Sequence, residues 1–202
     1  MELTDTDASE MRARILDSAE LLLRRYGYEK MTVTDVARAL NMSHGNVYRY
    51  FSSKAALRAA VIEGWLNRIA DQTEAIVRKV GPADIRLEEW LKGLATIKQR
   101  KVTEDAEMLA AGSKVVKKMP RIEHVHSIRL MSQVAQILQD GLDDGTLPSV
   151  QDPHATATAI LNATVRFYDP DLVANGGSPA VQMAALDAVL SLITGGLKRT
   201  TV

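Results

Sequence analysis

The 202-residue sequence contains no cysteine, which excludes disulfides and thiolate chemistry and is compatible with a reducing cytosol. It also lacks any uninterrupted apolar run approaching the roughly 20 residues that cross a bilayer. Its first residues are acidic and polar, unlike a signal peptide. We therefore expect a soluble, cytoplasmic protein that has no membrane partner.

Sequence signatures of catalysis are also missing. We find no phosphate-binding glycine loop and no nucleophile elbow. The adjacent acids Glu88-Glu89 and Asp143-Asp144 do not face a common point on a helix. His124 and His126 lie about 200° apart around a regular helix, so they cannot chelate one metal ion. We expect no catalytic residue, no metal site and no cofactor, and therefore not an enzyme.

Strand-like alternation and internal repeats are absent too, so the predicted fold is all-α with about nine helices. The first is expected from near Ala8 to Tyr26, where Gly27 ends it. Its inward-facing residues should be Ile15, Ala19, Leu22, Leu23 and Tyr26. A long helix is expected from about Lys54 to Val80, where Gly81-Pro82 ends it. Further helices are expected at 84–101, 103–118 and 120–142.

Proline also marks the start of the last two helices. Asp152-Pro153 and Ser178-Pro179 each combine an N-cap residue with proline at the first helical position. Asp143-Asp144-Gly145 predicts the turn that ends the preceding helix. No glycine- or proline-rich linker divides the chain, so we expect a continuous helix to join its N-terminal and C-terminal parts.

Residues 32–54 predict two short helices joined by a tight turn. The first should carry one apolar stripe, made of Val33, Val36, Ala37 and Leu40. Thr32 is placed to cap that helix by accepting a hydrogen bond from the backbone N–H of Asp35. Asn41 tolerates the left-handed backbone that a turn needs, and Ser43 can cap the second helix. This arrangement is a helix-turn-helix.

In a helix-turn-helix, the second helix lies in the DNA major groove. Its exposed side should carry His44, Asn46, Tyr48, Arg49 and Tyr50, while Val47 and Phe51 point to the core. Gly45 removes bulk where the backbone approaches DNA. Lys54 is expected in the first turn of the following helix, where free N–H groups and the ammonium suit a phosphate. The alternative is that Tyr48, Arg49 and Tyr50 merely cover an edge of the core.

The charge distribution favours the DNA-binding interpretation. Residues 11–58 contain nine Lys or Arg against four Asp or Glu, whereas residues 59–202 contain 16 against 17. The neutral chain therefore contains a basic segment that coincides with the helix-turn-helix.

The N-terminal part resembles the DNA-binding domain of the TetR/AcrR family of transcriptional regulators over about 50 residues in unbroken order. The matching segments are residues 15–23, Tyr26-Gly27-Tyr28, residues 32–37, residues 43–51 and residues 53–57. The family often has glycine at the position of Asn41 and histidine at that of Tyr50. The resemblance implies that Thr32, Tyr48 and Lys54 meet phosphates, and that Thr34, His44, Gly45, Asn46 and Arg49 lie closest to bases. With Ser43 and Tyr50, these residues form the predicted DNA-binding set.

The final helix predicts an interface. Its polar side chains Asp187, Ser191 and Thr194 fall within about 60° of its circumference, and most other faces are apolar. Ala184 and Ala188 would allow another helix to approach closely, and Leu192 extends their surface. We expect a homodimer interface there; the alternative is a core helix within one chain. The resemblance points the same way, because family members pair through their last two helices, here about 153–168 and 179–195.

The resemblance also implies a small-molecule site within the middle helices, about 84–142, with the long helix after Lys54 transmitting its occupancy. Candidate lining residues are Trp90, Met108, Met119, Met131, Phe167 and Tyr168, for which core packing is the alternative. The expected domains are a helix-turn-helix domain at 8–57 and a helical effector-binding and dimerisation domain at 58–202. We thus expect a homodimeric, effector-responsive repressor of a pseudopalindromic double-stranded DNA operator. The alternative is a helical binding or scaffolding protein with a vestigial helix-turn-helix.

Overall fold

A computed structural model describes residues 5–199, and all regular structure in that range is helical, which confirms the all-α fold class. The first helices are α1 (Asp5–Lys30), α2 (Val33–Ala39), α3 (His44–Tyr50) and α4 (Lys54–Val77). The middle of the chain forms α5 (Ala83–Glu104), α6 (Ala106–Lys118) and α7 (Pro120–Asp143). The last are α8 (Pro153–Thr164), a 3-10 turn (Val165–Phe167), α9 (Pro170–Ala174) and α10 (Pro179–Leu197).

The chain divides into two compact units. Of the described residues, the first unit contains 5–66 together with Asp105–Glu123, and the second contains Asn67–Glu104 together with 124–199. Helix α6 therefore belongs to the first unit, although α5 and α7 flank it in the sequence. No sequence pattern predicted that grouping, because it depends on contacts between distant parts of the chain.

The first unit is built around the predicted helix-turn-helix. Helix α1 packs against α2 and α6, and α2 packs against α3. The core contains the apolar stripes expected from the sequence, with Val36 and Val47 almost wholly buried. Helix α6 completes this core with Met108 and Val115. The N-terminal helix-turn-helix is thus confirmed.

Gly27 interrupts α1 with a backbone φ of 77° and ψ of 172°, values that a residue with a side chain rarely adopts. The interruption agrees with the predicted helix end. Ile15, Ala19 and Leu23 are fully buried as expected. The expectation for Tyr26 is wrong, because its ring is 42% exposed and Tyr28 beyond the interruption is buried instead.

In the second unit, α5 and α7 run antiparallel. Arg86 Nη1 donates to Asp140 Oδ2 at 2.8 Å, and Trp90 Nε1 donates to Gln133 Oε1 at 2.9 Å. Residue numbers thus rise along α5 as they fall along α7. Gln133 Nε2 donates in turn to the carbonyl of Ala70 at 2.8 Å. Two polar pairs therefore link α5 to α7 and set their register.

Helix starts follow the predicted caps closely. Asp152 accepts hydrogen bonds from the backbone N–H groups of residues 154 and 155, and Ser178 accepts one from Val181. Helix α9 was not predicted, although Asp169-Pro170 repeats the Asp-Pro start signal of α8. The long α4 ends three residues earlier than expected, at Val77.

Helix α10 is apolar over most of its length. Its mean hydropathy reaches 1.5, and by length and composition alone it is long and apolar enough to cross a membrane. Two features connect it to the second unit. It packs against α5 and α8, and its Asp187 forms a 2.8 Å ion pair with Lys92. One face, with Leu186 and Leu190, is buried there.

Candidate nucleic-acid interface

The start of α2 is held by a reciprocal pair of caps. Thr32 Oγ1 accepts from the Asp35 backbone N–H at 3.1 Å, and Asp35 Oδ2 accepts from the Thr32 backbone N–H at 3.2 Å. The Thr32 hydroxyl also donates to the Asp35 carboxylate at 2.6 Å, which lowers the pKa of Asp35 below its ordinary value. These bonds satisfy amide groups that a helix start leaves without partners. The predicted cap is confirmed.

The turn between α2 and α3 depends on two residues. Asn41 has a φ of 53°, and among the described residues it is the only non-glycine with a positive φ. Ser43 then caps α3 by accepting from the Asn46 backbone N–H at 3.2 Å. Both features match their predictions. They set the angle at which α3 leaves the turn.

Helix α3 separates its buried and exposed side chains as predicted. Val47 and the following Phe51 are buried, and the guanidinium of Arg12 lies 4.9 Å from the centre of the Phe51 ring. The opposite side of the helix is exposed to solvent and carries the predicted residues His44, Gly45, Asn46, Tyr48 and Arg49. Tyr50, which was also predicted there, is half-buried. The His44 and Tyr48 rings meet edge to face, with centroids 6.4 Å apart. This surface combines hydrogen-bonding groups, a cation and aromatic rings.

Residues flanking α3 add to the same surface. Thr34 is exposed on α2, and Thr32 is half-buried at its cap. Lys54 opens α4 directly after Ser53, whose hydroxyl accepts from the Ala56 backbone N–H at 3.0 Å. Burial, followed by the neighbouring charge of Arg58, lowers the pKa of Lys54. Lys54 thus lies at a helix N-terminus, where a phosphate is favoured.

Arg58 is a positioning residue that sequence reasoning missed. It is buried, and its guanidinium donates to the backbone carbonyls of Tyr28, Glu29 and Met31. It also stacks 3.9 Å from the centre of the Tyr28 ring. It thereby connects α4 to the segment that enters α2. A lone arginine in the apolar run Ala55–Ile62 was the available signal.

The predicted ligand-site residues do not all fall in one unit. Met108 and Met119 belong to the first unit, whereas Trp90, Met131, Phe167 and Tyr168 belong to the second. Trp90, Met108 and Phe167 are buried, and Met119 is exposed. The Tyr168 hydroxyl donates to the carbonyl of Leu161 at 2.7 Å, and burial raises the pKa of the phenol.

The predicted dimerisation residues lie on the open side of α10. Ala184, Ala188 and Leu192 are all exposed, and the Leu192 side chain is 79% exposed. Val181 lies on the same side and is 62% exposed. The core face of the helix, with Leu186 and Leu190, points the other way. Helix α10 is therefore apolar both where it packs on its own chain and where it meets solvent.

A capped helix-turn-helix with a polar, cationic surface, followed by a helical domain, defines the class of DNA-binding transcriptional regulators. Residues 15–61 match the family model described as bacterial regulatory proteins, tetR family. Residues 83–190 match the model described as the tetracyclin repressor-like C-terminal domain. The chain belongs to the TetR family of transcriptional regulators.

Individual relatives agree with this assignment. The chain is similar to the transcriptional repressor KstR2 of Rhodococcus jostii, with 24% identity over 94% of this chain and 92% of the relative. Its fold is similar to that of a TetR-family regulator from Mesorhizobium loti, with a TM-score of 0.71, 16% identity and 97% coverage of both chains. It is also similar to that of FadR from Bacillus subtilis in complex with stearoyl-CoA, with a TM-score of 0.53, 16% identity and coverage of 91% and 98%.

Proposed function

We propose that this regulator is a cytoplasmic, non-enzymatic repressor that binds a pseudopalindromic operator as a homodimer and responds to a small-molecule effector. The exposed face of α3, presented by two capped helices, is the observation that carries the proposal. A protein that used α3 only for packing would have no need of an exposed histidine, asparagine, tyrosine and arginine on one short helix. The repressor name of KstR2 supports the direction of regulation.

The proposed contacts divide into two groups. Thr32, Tyr48 and Lys54 would contact phosphates and set the position of the head on the duplex. Thr34, Ser43, His44, Gly45, Asn46, Arg49 and Tyr50 would lie along the major groove. Of these, Asn46 and Arg49 have side chains suited to adenine and guanine edges, respectively. The exposure of Thr34 on α2 and of Asn46 and Arg49 on α3 supports these roles.

The open apolar side of α10 supports the homodimer. An exposed leucine and valine beside two exposed alanines form the kind of surface that isolated chains rarely leave in water. Small residues at 184 and 188 permit close approach by the same helix of a second chain. Twofold pairing would present two α3 helices to two half-sites about one DNA turn apart. We therefore interpret the hydropathy of α10 as an interface property rather than as a membrane span.

An effector role for the C-terminal helices is supported by the family. The FadR structure with a similar fold contains stearoyl-CoA. An effector controls the operator only through its different affinity for two conformations of the regulator. Helix α4, which runs unbroken from Lys54 to Val77, would carry that difference between the domains. Of the candidate lining residues, Trp90, Met131, Phe167 and Tyr168 share one unit with most of these helices.

The proposed function can be tested by selecting bound fragments from the source genome and titrating the best fragment against salt. Among the proposed phosphate contacts Lys54 is the cation, so two protomers neutralise at least two phosphates, and affinity should fall about tenfold or more between 50 and 200 mM salt. A scrambled fragment of equal length serves as the control. A scaffolding protein with a vestigial helix-turn-helix would select no sequence and show no specific complex.

A further inference from the structure

The second unit contains a buried histidine, His126, that is not part of the proposed DNA interface. His126 lies on α7, on the same face as Gln133, and is only 8% exposed. Within residues 5–199, neither Nδ1 nor Nε2 of this ring has a hydrogen-bond partner. Buried polar atoms in proteins nearly always have a hydrogen-bond partner. We therefore expect the His126 ring to form a hydrogen bond with a group from outside the chain.

The position of His126 continues the polar register between α5 and α7. Arg86 pairs with Asp140, and Trp90, about one turn further along α5, pairs with Gln133, about two turns back along α7. Extending this antiparallel register by two more turns places Lys98 opposite His126. Lys98 is also buried, at 8% exposure. At the first two levels a donor of one helix meets an acceptor of the other, whereas the His126 imidazole has no hydrogen bond to any described residue.

Two cationic side chains, Lys98 and Arg129, act electrostatically on the ring. Burial, followed by the charges of Lys98 and Arg129, lowers the pKa of His126 to about 3. The imidazole is therefore neutral near pH 7, with one N–H to donate. Arg129 is itself paired with Asp71, with Nη2 and Oδ1 2.6 Å apart. A negatively charged group beside the ring would be attracted by both cations and could accept its N–H.

We propose that His126 and Lys98 bind the carboxylate of a small effector whose remaining body is apolar. This proposal rests on the proposed function, in which the C-terminal helices hold the effector. A carboxylate offers two oxygens, enough to accept from both the imidazole and the ammonium. The same stretch of α5 and α7 supplies buried Leu94, Leu130 and Val134, which suit an apolar body.

The test is an NMR titration of the full-length protein with ¹⁵N-labelled histidine. Sodium octanoate and sodium benzoate are the probes, and 1-octanol and benzyl alcohol are their matched neutral controls. We expect one carboxylate to shift the ring resonances of His126 and leave those of His44 unchanged. That carboxylate should bind at least about tenfold more tightly than its alcohol, because a hydrogen bond to a charged group is worth tenfold or more.

A pair of variants on α7 sharpens the test. His126→Leu should abolish the preference for the carboxylate, whereas His124→Leu, at an exposed position on the same helix, should retain it. Replacing an unpartnered buried ring with leucine should leave the melting temperature equal or higher, so loss of binding will not reflect unfolding. The wild-type titration does not depend on either variant.

Three results would overturn the proposal: no binding of either carboxylate, binding without a change at His126, or an unchanged preference in His126→Leu. The operator assay separates this failure from a failure of the proposed function. Specific DNA binding without carboxylate binding would reject only the effector chemistry. Carboxylate binding at His126 without any specific DNA complex would reject the proposed operator binding and leave the proposed carboxylate site standing.

Discussion

The side chains around α3 are expected to contribute to DNA binding in different ways. A lysine at a helix N-terminus attracts any phosphate, so it acts on all sequences alike. An asparagine on the groove-facing surface can instead donate to and accept from one base edge. Lys54 is the first residue of α4, and Asn46 lies on the exposed side of α3. Substitution of Lys54 should therefore weaken binding to all DNA sequences, whereas substitution of Asn46 should change which bases are preferred.

Lys54→Ala should weaken binding to operator and to unrelated DNA by similar factors, and reduce the salt slope by about 1 per protomer. Asn46→Ala should leave the salt slope unchanged and relax base preference at one position of each half-site, at a cost of about 1–3 kcal/mol for the preferred base. Fluorescence anisotropy with operator variants at several salt concentrations measures both effects. An equal loss of specificity from the two substitutions would contradict the assigned roles.

His126 also predicts how stability depends on pH. Its pKa of about 3 in the folded protein lies below the ordinary value of 6.5, because the ring is buried beside Lys98 and Arg129. The unfolded chain therefore binds more protons between these values, and stability is lost as the pH falls below 6.5. The loss from this group is at most about 1.4 kcal/mol per pH unit. Urea unfolding at pH 7 and pH 5 should show it in the wild type and not in His126→Leu.

Residue positions were predictable where a periodic pattern or a backbone rule decided them. Asn41 was identified because asparagine is one of the few residues other than glycine that adopt a positive φ. Tyr26 was misplaced because helical periodicity was extended up to Gly27, where the chain leaves helical geometry and buries Tyr28 instead. The unpartnered state of His126 could not be predicted, because it depends on which groups of other helices surround the ring.

The turn between α2 and α3 is the element on which the recognition surface depends. Its backbone requires a φ of 53° at Asn41, which alanine adopts at a cost of about 1–2 kcal/mol and glycine adopts freely. Asn41→Ala should therefore lower the free energy of unfolding of the first unit by about 1 kcal/mol, while Asn41→Gly should be close to neutral. Chemical denaturation followed by circular dichroism measures the difference. Similar losses from both substitutions would show that the asparagine side chain, not its backbone, matters.

Helix ends were predictable because caps leave a local signature. Each of the helices α2, α3, α8 and α10 begins directly after a serine, threonine or aspartate N-cap, and in α8 and α10 proline is the first helical residue. Helix α9 carries the same signature but is only five residues long, too short to show periodicity. The packing of α6 with α1 left no local signature. It includes an ion pair between Lys114 and Glu29, 85 residues apart, with Nζ and Oε1 2.9 Å apart.

The chain passes between its two units three times, after Leu66, Glu104 and Glu123. Helices α4 and α7 continue without a break through two of these points. The third lies between α5 and α6, where Asp105 separates the two helices. An effector that repositions the helices of the second unit would therefore act on the first through covalent helical connections. This supports effector control of the head without a flexible linker.

In the proposed homodimer, binding of two heads to one operator would depend on the open side of α10. Leu192→Glu places a carboxylate at the centre of the proposed apolar interface, where burial of an unpaired charge opposes association. Val80→Glu adds the same charge at a fully exposed position in the turn between α4 and α5 and serves as the control. Analytical ultracentrifugation should show Leu192→Glu as a monomer, with wild type and Val80→Glu as dimers.

The same pair of variants connects assembly to recognition. Because joined heads bind the second half-site as an intramolecular event, loss of the dimer should weaken full-operator binding by about 10²-fold or more. Affinity for an isolated half-site should change little, since the α3 surface is untouched. Comparison of full and half operators by anisotropy tests this directly. A monomeric Leu192→Glu protein that retained full-operator affinity would show that pairing on DNA uses a surface other than α10.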